Sequence, residues 1–366
     1  MRLAAPSSKH RISLAVLGVL LFANITVQAE RESSSPVRAV DAIEVTVSEM
    51  DRAVDFYSHV LNFKKIADLE LAGEGYEHLE GVFGLRIHAV RMQLGGEQIE
   101  LQEFVVPKGA PIPPDSRSND RWFQHLAIIV SDMDAAFNWL RKNKVEFASS
   151  GPQLLPAWNK SAAGIRAFYF KDPDGHPLEI LQFPSDKGAS RWHQNGGQLF
   201  LGIDHTAIVI GDTDASLRFY RDLLGMRVVG ESENHGTEQE HLNNVLGARL
   251  RITALRASTG PGIELLEYLA PRDGRPFPAN ERANDLVRRE TEIVTDDLAS
   301  AFRALTAAHA TFVSPGIVSL SPELGYTQAL VVRDPDGHVI RIHNGTPAAS
   351  AEAGADIQTA QKENLQ

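Results

Sequence analysis

Lys171-Asp172-Pro173-Asp174-Gly175-His176-Pro177-Leu178-Glu179-Ile180-Leu181 nearly recurs as Arg333-Asp334-Pro335-Asp336-Gly337-His338-Val339-Ile340-Arg341-Ile342-His343. Asp-Pro-Asp-Gly is turn chemistry, because proline fixes φ and glycine accepts a positive φ. Phe168-Tyr169-Phe170 precedes the first copy and an apolar run follows it, so the stretch predicts a β-hairpin. Period-two alternation places Glu179 on the face opposite Leu178 and Ile180, pointing either to solvent or into a cavity. The second copy carries Arg341 at that place.

Working outward, residues 40–47 read as a strand. Residues 51–61 read as a helix, with Ala53, Val54, Phe56, Tyr57, Val60 and Leu61 at helical spacing. Strands follow at 63–71, 85–94 and 98–106, giving the order β-α-β-β-β, and a proline-rich connector at 107–114 closes this unit. A second unit opens at Trp122, has its helix at 133–143 and ends in the first hairpin. After a Gly-, Ser- and Asn-rich linker at 184–199 comes a third unit, with a strand at 202–210 and a helix at 214–224 stopped by Gly225. The fourth unit spans about 287–344 and ends in the second hairpin.

The halves are related. Glu77-His78-Leu79 matches Glu240-His241-Leu242, Phe56-Tyr57 matches Phe219-Tyr220, and Ile99-Glu100-Leu101 matches Ile263-Glu264-Leu265. An offset of about 163 residues is far too long for a solenoid repeat. The chain therefore reads as an α+β protein built from a duplicated domain, each copy two βαβββ modules. The expected domains are 40–183 and 200–345, flanked by a disordered leader at 30–39 and a disordered tail at 346–366.

The N-terminus has a different character. Arg2, Lys9 and Arg11 precede an apolar run over residues 12–25, and Val27-Gln28-Ala29 offers a small-residue cleavage site. This predicts a secretory signal peptide over 1–29, a periplasmic or secreted protein, and no stable membrane span once the signal is removed. The chain holds no cysteine, so no disulfide can form. Its formal charge is −11, and loss of the basic leader makes it more acidic, which argues against nucleic-acid partners. A small-molecule substrate is expected, with the chain a monomer or homodimer.

Four modules, the Phe-Tyr helices and the Asp-Pro-Asp-Gly-His endings together resemble the vicinal oxygen chelate superfamily. That family includes glyoxalase I, extradiol ring-cleaving dioxygenases, epimerases and bleomycin-resistance proteins. The resemblance implies two glyoxalase-like domains with curled, mostly antiparallel sheets. It also implies that paired modules surround one divalent metal, with a ligand from the first and the last strand of each module. The corresponding places are Ala42 and Glu100, His125 and Glu179, His205 and Glu264, and Glu290 and Arg341. Pairing in chain order gives two incomplete sets. Pairing the second module with the third, and the first with the fourth, gives one full set, His125, Glu179, His205 and Glu264. The other cup then holds Ala42, Glu100, Glu290 and Arg341, with arginine in place of a cation. The ligand types agree with the exchanged pairing.

Imidazole and carboxylate together suit Zn, Ni, Fe or Mn. A lone histidine at a strand start is ordinarily a polar edge residue. His125 and His205, however, stand at equivalent places, each with a glutamate near its module's end. Glu179 and Glu264 are the candidate bases. His78 and His241 fall in a shared motif read as mid-module strand, with His241 expected to meet substrate. His176 and His338, following the turns, are expected to be structural or exposed. The function implied is a metal-dependent glyoxalase-like lyase or isomerase acting on a substrate with vicinal oxygens. An Fe(II) ring-cleaving dioxygenase and a non-enzymatic, resistance-type binding protein are the alternatives.

Overall fold

The computed structural model describes residues 37–347 apart from residue 195. The expected signal peptide, residues 30–36 of the leader and residues 348–366 of the tail lie outside the described residues. The first strand is Val37–Thr46, so it begins inside the expected leader. No helix among the described residues is long and apolar enough to cross a membrane.

The modules form two nine-stranded sheets. At the centre of one, Gln124–Val130 of the second module runs antiparallel to Phe200–Ile210 of the third. Pro177–Gln182 flanks the former and Gly262–Ala270 the latter, each in parallel. The other sheet repeats this plan with Val37–Thr46 against Arg289–Thr295, flanked by Glu97–Val106 and Val339–His343. The pairing is therefore exchanged, second with third and first with fourth. Every residue of Gln124–Val130, Phe200–Ile210 and Arg289–Thr295 is buried, as expected of central strands covered on both faces.

Four helices pack against the faces of the sheets that carry Ile43, Ile128, Ile208 and Ile293. Glu49, Asp132, Asp212 and Asp297 cap them by accepting from backbone N–H groups of the first turn. Removing one such cap costs about 1 kcal/mol. The helix Met50–Asp55 widens into a π-helical turn over Phe56–Val60, and Thr213–Leu217 does the same over Arg218–Leu223. Each widened turn buries a tyrosine whose hydroxyl donates to the first aspartate of an Asp-Pro-Asp-Gly turn: Tyr57 to Asp172 at 3.2 Å, Tyr220 to Asp334 at 3.0 Å. The same aspartates accept backbone N–H groups of their own turns, so each turn is held from two directions. Gly175 and Gly337, at φ 93° and 105°, supply the positive φ these turns need.

Of the two readings for His176 and His338, structural or exposed, the structure bears out the first. Both are buried, and each pins its hairpin to backbone of the other sheet: His176 Nε2 to the Leu286 carbonyl, His338 Nε2 to the Val209 carbonyl, both at 2.8 Å. One buried apolar cluster runs through all four modules, including Ile43, Tyr57, Ile128, Phe168, Tyr220 and Ile342.

Two sequence expectations need correction. Glu74–Glu80 and Thr237–Asn243, read as strand, are short helices, each ending in a left-handed residue, Gly81 and Asn244. The segment read as a plain linker carries a 3-10 turn, Ser190–His193, and buries Trp192.

Candidate metal centre

In the sheet of the second and third modules, His125 pairs across the central strands with Ala207, and His205 with Ala127. The histidines are thus diagonal neighbours on one face, and the two alanines leave room above the sheet for the imidazoles. Glu179 lies beside Ala127 on the parallel flanking strand, and Glu264 beside Ala207 on the other. The result is a symmetric set of four side chains at the bottom of the curl.

The distances are short. Glu179 Oε2 lies 3.2 Å from His125 Nε2 and 3.8 Å from His205 Nε2, while Glu264 Oε2 lies 3.4 Å from His205 Nε2. His125, Glu179 and His205 are buried, with ligand atoms mutually within 4.8 Å. Glu264 is the more open member, its side chain 26% exposed.

Two observations show that these residues fit a divalent ion. Neither buried ring nitrogen of His125 makes an aligned hydrogen bond, although Glu179 Oε2 stands 3.2 Å from Nε2, and this is costly unless a ligand meets one of them. His205 is oriented for ligation: its Nδ1 contacts Asp204 Oδ2 at 2.9 Å, which fixes Nδ1–H and leaves the Nε2 lone pair facing the glutamates. Asp204 is in turn held by Arg256 at 2.8 Å and by Trp192 Nε1 at 3.2 Å. Burial opposes its charge, but Arg256 and His205 outweigh that and hold the Asp204 carboxyl well below the usual range. Burial likewise disfavours a charged His205. The carboxylates of Glu264, Asp204 and Glu179 overcome this and raise it to about 9. The site therefore attracts positive charge strongly.

The set opens into a cavity of about 470 Å³ walled by Tyr169, Leu155, Leu242, Trp192, Arg191, Asn234 and Gln239. A row of buried amides, Asn159–Asn234–Gln239–Asn243, ends on the Tyr268 hydroxyl. His241, expected to touch substrate, does not line this cavity. It is exposed on the helix Thr237–Asn243, which turns about 100° per residue and so aims Gln239 and Leu242 inward and His241 away. Sequence reading did not single out Asp204, Arg256, Asn234 or Gln239. Asp204, directly before His205, was the one with a legible signal.

The equivalent places in the other sheet hold Ala42, Glu100, Glu290 and Arg341, and the two floor alanines are replaced. Glu44 stands where Ala207 would be and Glu292 where Ala127 would be. Arg91, opposite Glu100, takes the place that Ala254 holds opposite Glu264. The cup is filled by its own charges. Arg341 contacts Glu44 at 2.6 Å, Glu80 at 2.8 Å and Glu290 at 3.0 Å, with Glu100 further off at 3.7 Å. Arg91 bonds Glu100 and Glu292, both at 2.8 Å, and Arg288 bonds Glu290 at 2.6 Å.

Asp41, Glu292 and His343 also approach one another here. They do not form a ligand set, because the Gly345 N–H donates to His343 Nδ1, so Nε2 carries the proton and has no lone pair to give. Arg91 already bridges the two carboxylates. Burial, with Arg91 and Arg341 beside it, pushes His343 down to about 3, so it stays neutral.

Comparison with known proteins agrees with this architecture. The family model described as Glyoxalase/Bleomycin resistance protein/Dioxygenase superfamily matches residues 39–180 and 202–342, and the chain belongs to that superfamily. It is similar to a 2-epi-5-epi-valiolone epimerase from Actinomyces sp, 29% identical over 40% of this chain and 80% of that one. It is also similar to a lactoylglutathione lyase from Arabidopsis thaliana, 23% identical over 51% of this chain and 54% of the relative. Glyoxalase I from Zea mays shares the fold, with a TM-score of 0.56 at 14% identity, covering 84% of this chain and 92% of that structure.

Proposed function

We propose that the chain is an exported, metal-dependent lyase or isomerase acting on a small substrate with two neighbouring oxygens. The observation that carries this is the buried cluster of His125, Glu179 and His205, in which neither ring nitrogen of His125 makes an aligned hydrogen bond, at the base of a cavity of about 470 Å³. His125, Glu179, His205 and Glu264 would hold one divalent ion. When bound, such an ion polarises a carbonyl or clasps two vicinal oxygens.

The remaining chemistry belongs to the side chains. Glu264, the most open of the four, stands where its carboxylate can take a proton from a substrate carbon next to a carbonyl and return it. Glu179 is buried between both histidines and is suited to holding charge rather than moving protons. Asp204 keeps His205 in one tautomer, and Leu155, Leu242 and Trp192 give the cavity an apolar wall. The printed names of the two relatives, an epimerase and a lyase, support a reaction of this kind.

The test is elemental analysis of the purified chain, followed by assays of methylglyoxal–thiol adducts and of carbon-bound proton exchange. Glu264→Gln should lower turnover at least about 100-fold while metal stays bound. A chain with no bound metal, or a Glu264→Gln variant of unchanged turnover, would sink the reading. Export is tested by the N-terminal mass of the protein recovered outside the cytoplasm, where an intact Met1 would count against it.

A second reading rests on the same trio. Two histidines and one carboxylate with open positions also suit Fe(II) and O2. Oxygen uptake with catechols, but no proton exchange, would favour a dioxygenase.

A further inference from the structure

A second cavity, of about 490 Å³, shares no lining residue with the first, and the Phe123 ring in its wall stands 5.8 Å from the His125 ring. It lies among residues 112–118 at and after the end of the proline-rich connector, the start of the strand Gln124–Val130, residues 146–148, the Asp-Pro-Asp-Gly hairpin of the second module, Asn243 and Asn244, and the start of the strand Arg289–Thr295. Its lining includes two buried basic side chains, His176, which is paired with Asp172, and Arg289, 5% exposed. The Arg289 Nη atoms donate only to main-chain carbonyls, Gln124 at 2.7 Å and Pro177 at 3.2 Å. Among the described residues no carboxylate oxygen lies within salt-bridge distance of it, and a guanidinium has donors left after two such bonds. The nearest acid by its influence, Asp172, is already shared between His176 and Tyr57. Burial accordingly lowers Arg289 from the usual arginine value, and Tyr57 and Asp172 offset this only in part.

The other charges around the cavity are already matched. Lys171 bonds Glu146 at 2.6 Å, Arg117 bonds Asp273 at 2.8 Å, and Asp174 is taken up by Arg52 and Ser48. One positive charge is left uncompensated in a buried place, which costs free energy until an anion joins it. Much of the remaining wall is apolar, from Ile112, Pro113, Pro114 and Phe147, the last 40% exposed beside the opening.

We propose that this second cavity binds a small organic monoanion, a carboxylate on an apolar body, with Arg289 as its counter-charge. A single unmatched cation favours a monoanion over a phosphate dianion, and the apolar wall favours a ring or branched chain over a bare ion. The site is independent of the metal and of the reaction proposed above.

The test uses calorimetric titration of the full chain with benzoate, and with benzamide as the neutral isostere. Benzoate should bind and benzamide should bind at least tenfold more weakly. Arg289→Gln should weaken benzoate at least tenfold. Should that variant not fold, Phe147→Glu, an exposed change beside the opening, should do the same by placing a like charge there. His125→Ala, which removes a metal ligand, should leave benzoate affinity unchanged. Equal binding of benzoate and benzamide, loss of benzoate binding in His125→Ala, or undiminished binding in Phe147→Glu would each overturn the proposal.

Discussion

Arg341 occupies in one sheet the place that Glu179 occupies in the other. Each is the third residue of a last strand and lies opposite the same position of its module's first strand, Glu292 for Arg341 and Ala127 for Glu179. One place thus offers a candidate cation ligand in one cup and supplies a built-in cation in the other. Arg341 is 1% exposed and its neighbours are acids from both modules of its sheet. Arg341→Ala is expected to destabilise the protein by about 3–5 kcal/mol, because it leaves buried carboxylates without their partner. Metal content should not change. Urea denaturation of the variant checks this, and an unchanged midpoint would remove the argument.

The acids around Arg341 outnumber their partners, and this has a pH signature. Burial raises Glu292 to about 8 despite Arg91, with Glu100 adding to the rise. Burial also raises Glu80 to about 7, with Glu290 adding to it. Both folded values lie above the ordinary 4.5, so the native state holds these protons more tightly than the unfolded chain does. Their contribution to stability is complete below about pH 4.5 and is lost as pH rises through 7 to 8. Stability is therefore expected to decline from about pH 4.5 up to about 7 through Glu80 and up to about 8 through Glu292, by up to about 1.4 kcal/mol per pH unit for each group. Glu292→Gln should flatten that slope. A stability profile that rises across this range in wild type would contradict the reading.

Metal content should distinguish the two cups. His125→Ala and His205→Ala come from different modules of one sheet and should each lose stoichiometric metal and activity. Glu290→Ala, at the place equivalent to His125 in the other sheet, should keep its metal. Elemental analysis of the three proteins is sufficient, and metal retained in both histidine variants would place the ion elsewhere.

The Asp204 carboxylate should act through His205. Asp204→Ala removes the acceptor that fixes Nδ1–H and is expected to weaken metal affinity about 10–100-fold. Competition with a chelator measures this. His205→Ala in the same assay gives the reference for complete loss, and a variant indistinguishable from wild type would reduce Asp204 to a partner of Arg256.

Much of the fold was readable because it is repeated. The two hairpins and the paired Phe-Tyr helices mark the modules, and module order then assigns His125, Glu179, His205 and Glu264 to matching strand positions. The helices Glu74–Glu80 and Thr237–Asn243 were missed because seven residues are too few to separate a 3.6-residue period from alternation. That error misplaced His241. Glu44 and Glu292 were missed for a different reason. A glutamate alternating with isoleucine looks like the solvent side of a strand. Only the approach of Arg341 and Arg91, distant in sequence, makes that side the interior.

The exchanged pairing also sets an order of assembly. The sheet with the metal set draws on an unbroken stretch, from Gln124 to Ala270, so all its strands exist once that stretch has left the ribosome. The sheet around Arg341 is closed by the first and fourth modules, and Val37–Thr46 must wait for Arg289–Thr295. During synthesis the first module therefore carries an open edge that only the last module can cover, while the catalytic candidate can already be shaped. Proteolysis of ribosome-stalled chains should find 124–270 protected before 37–106.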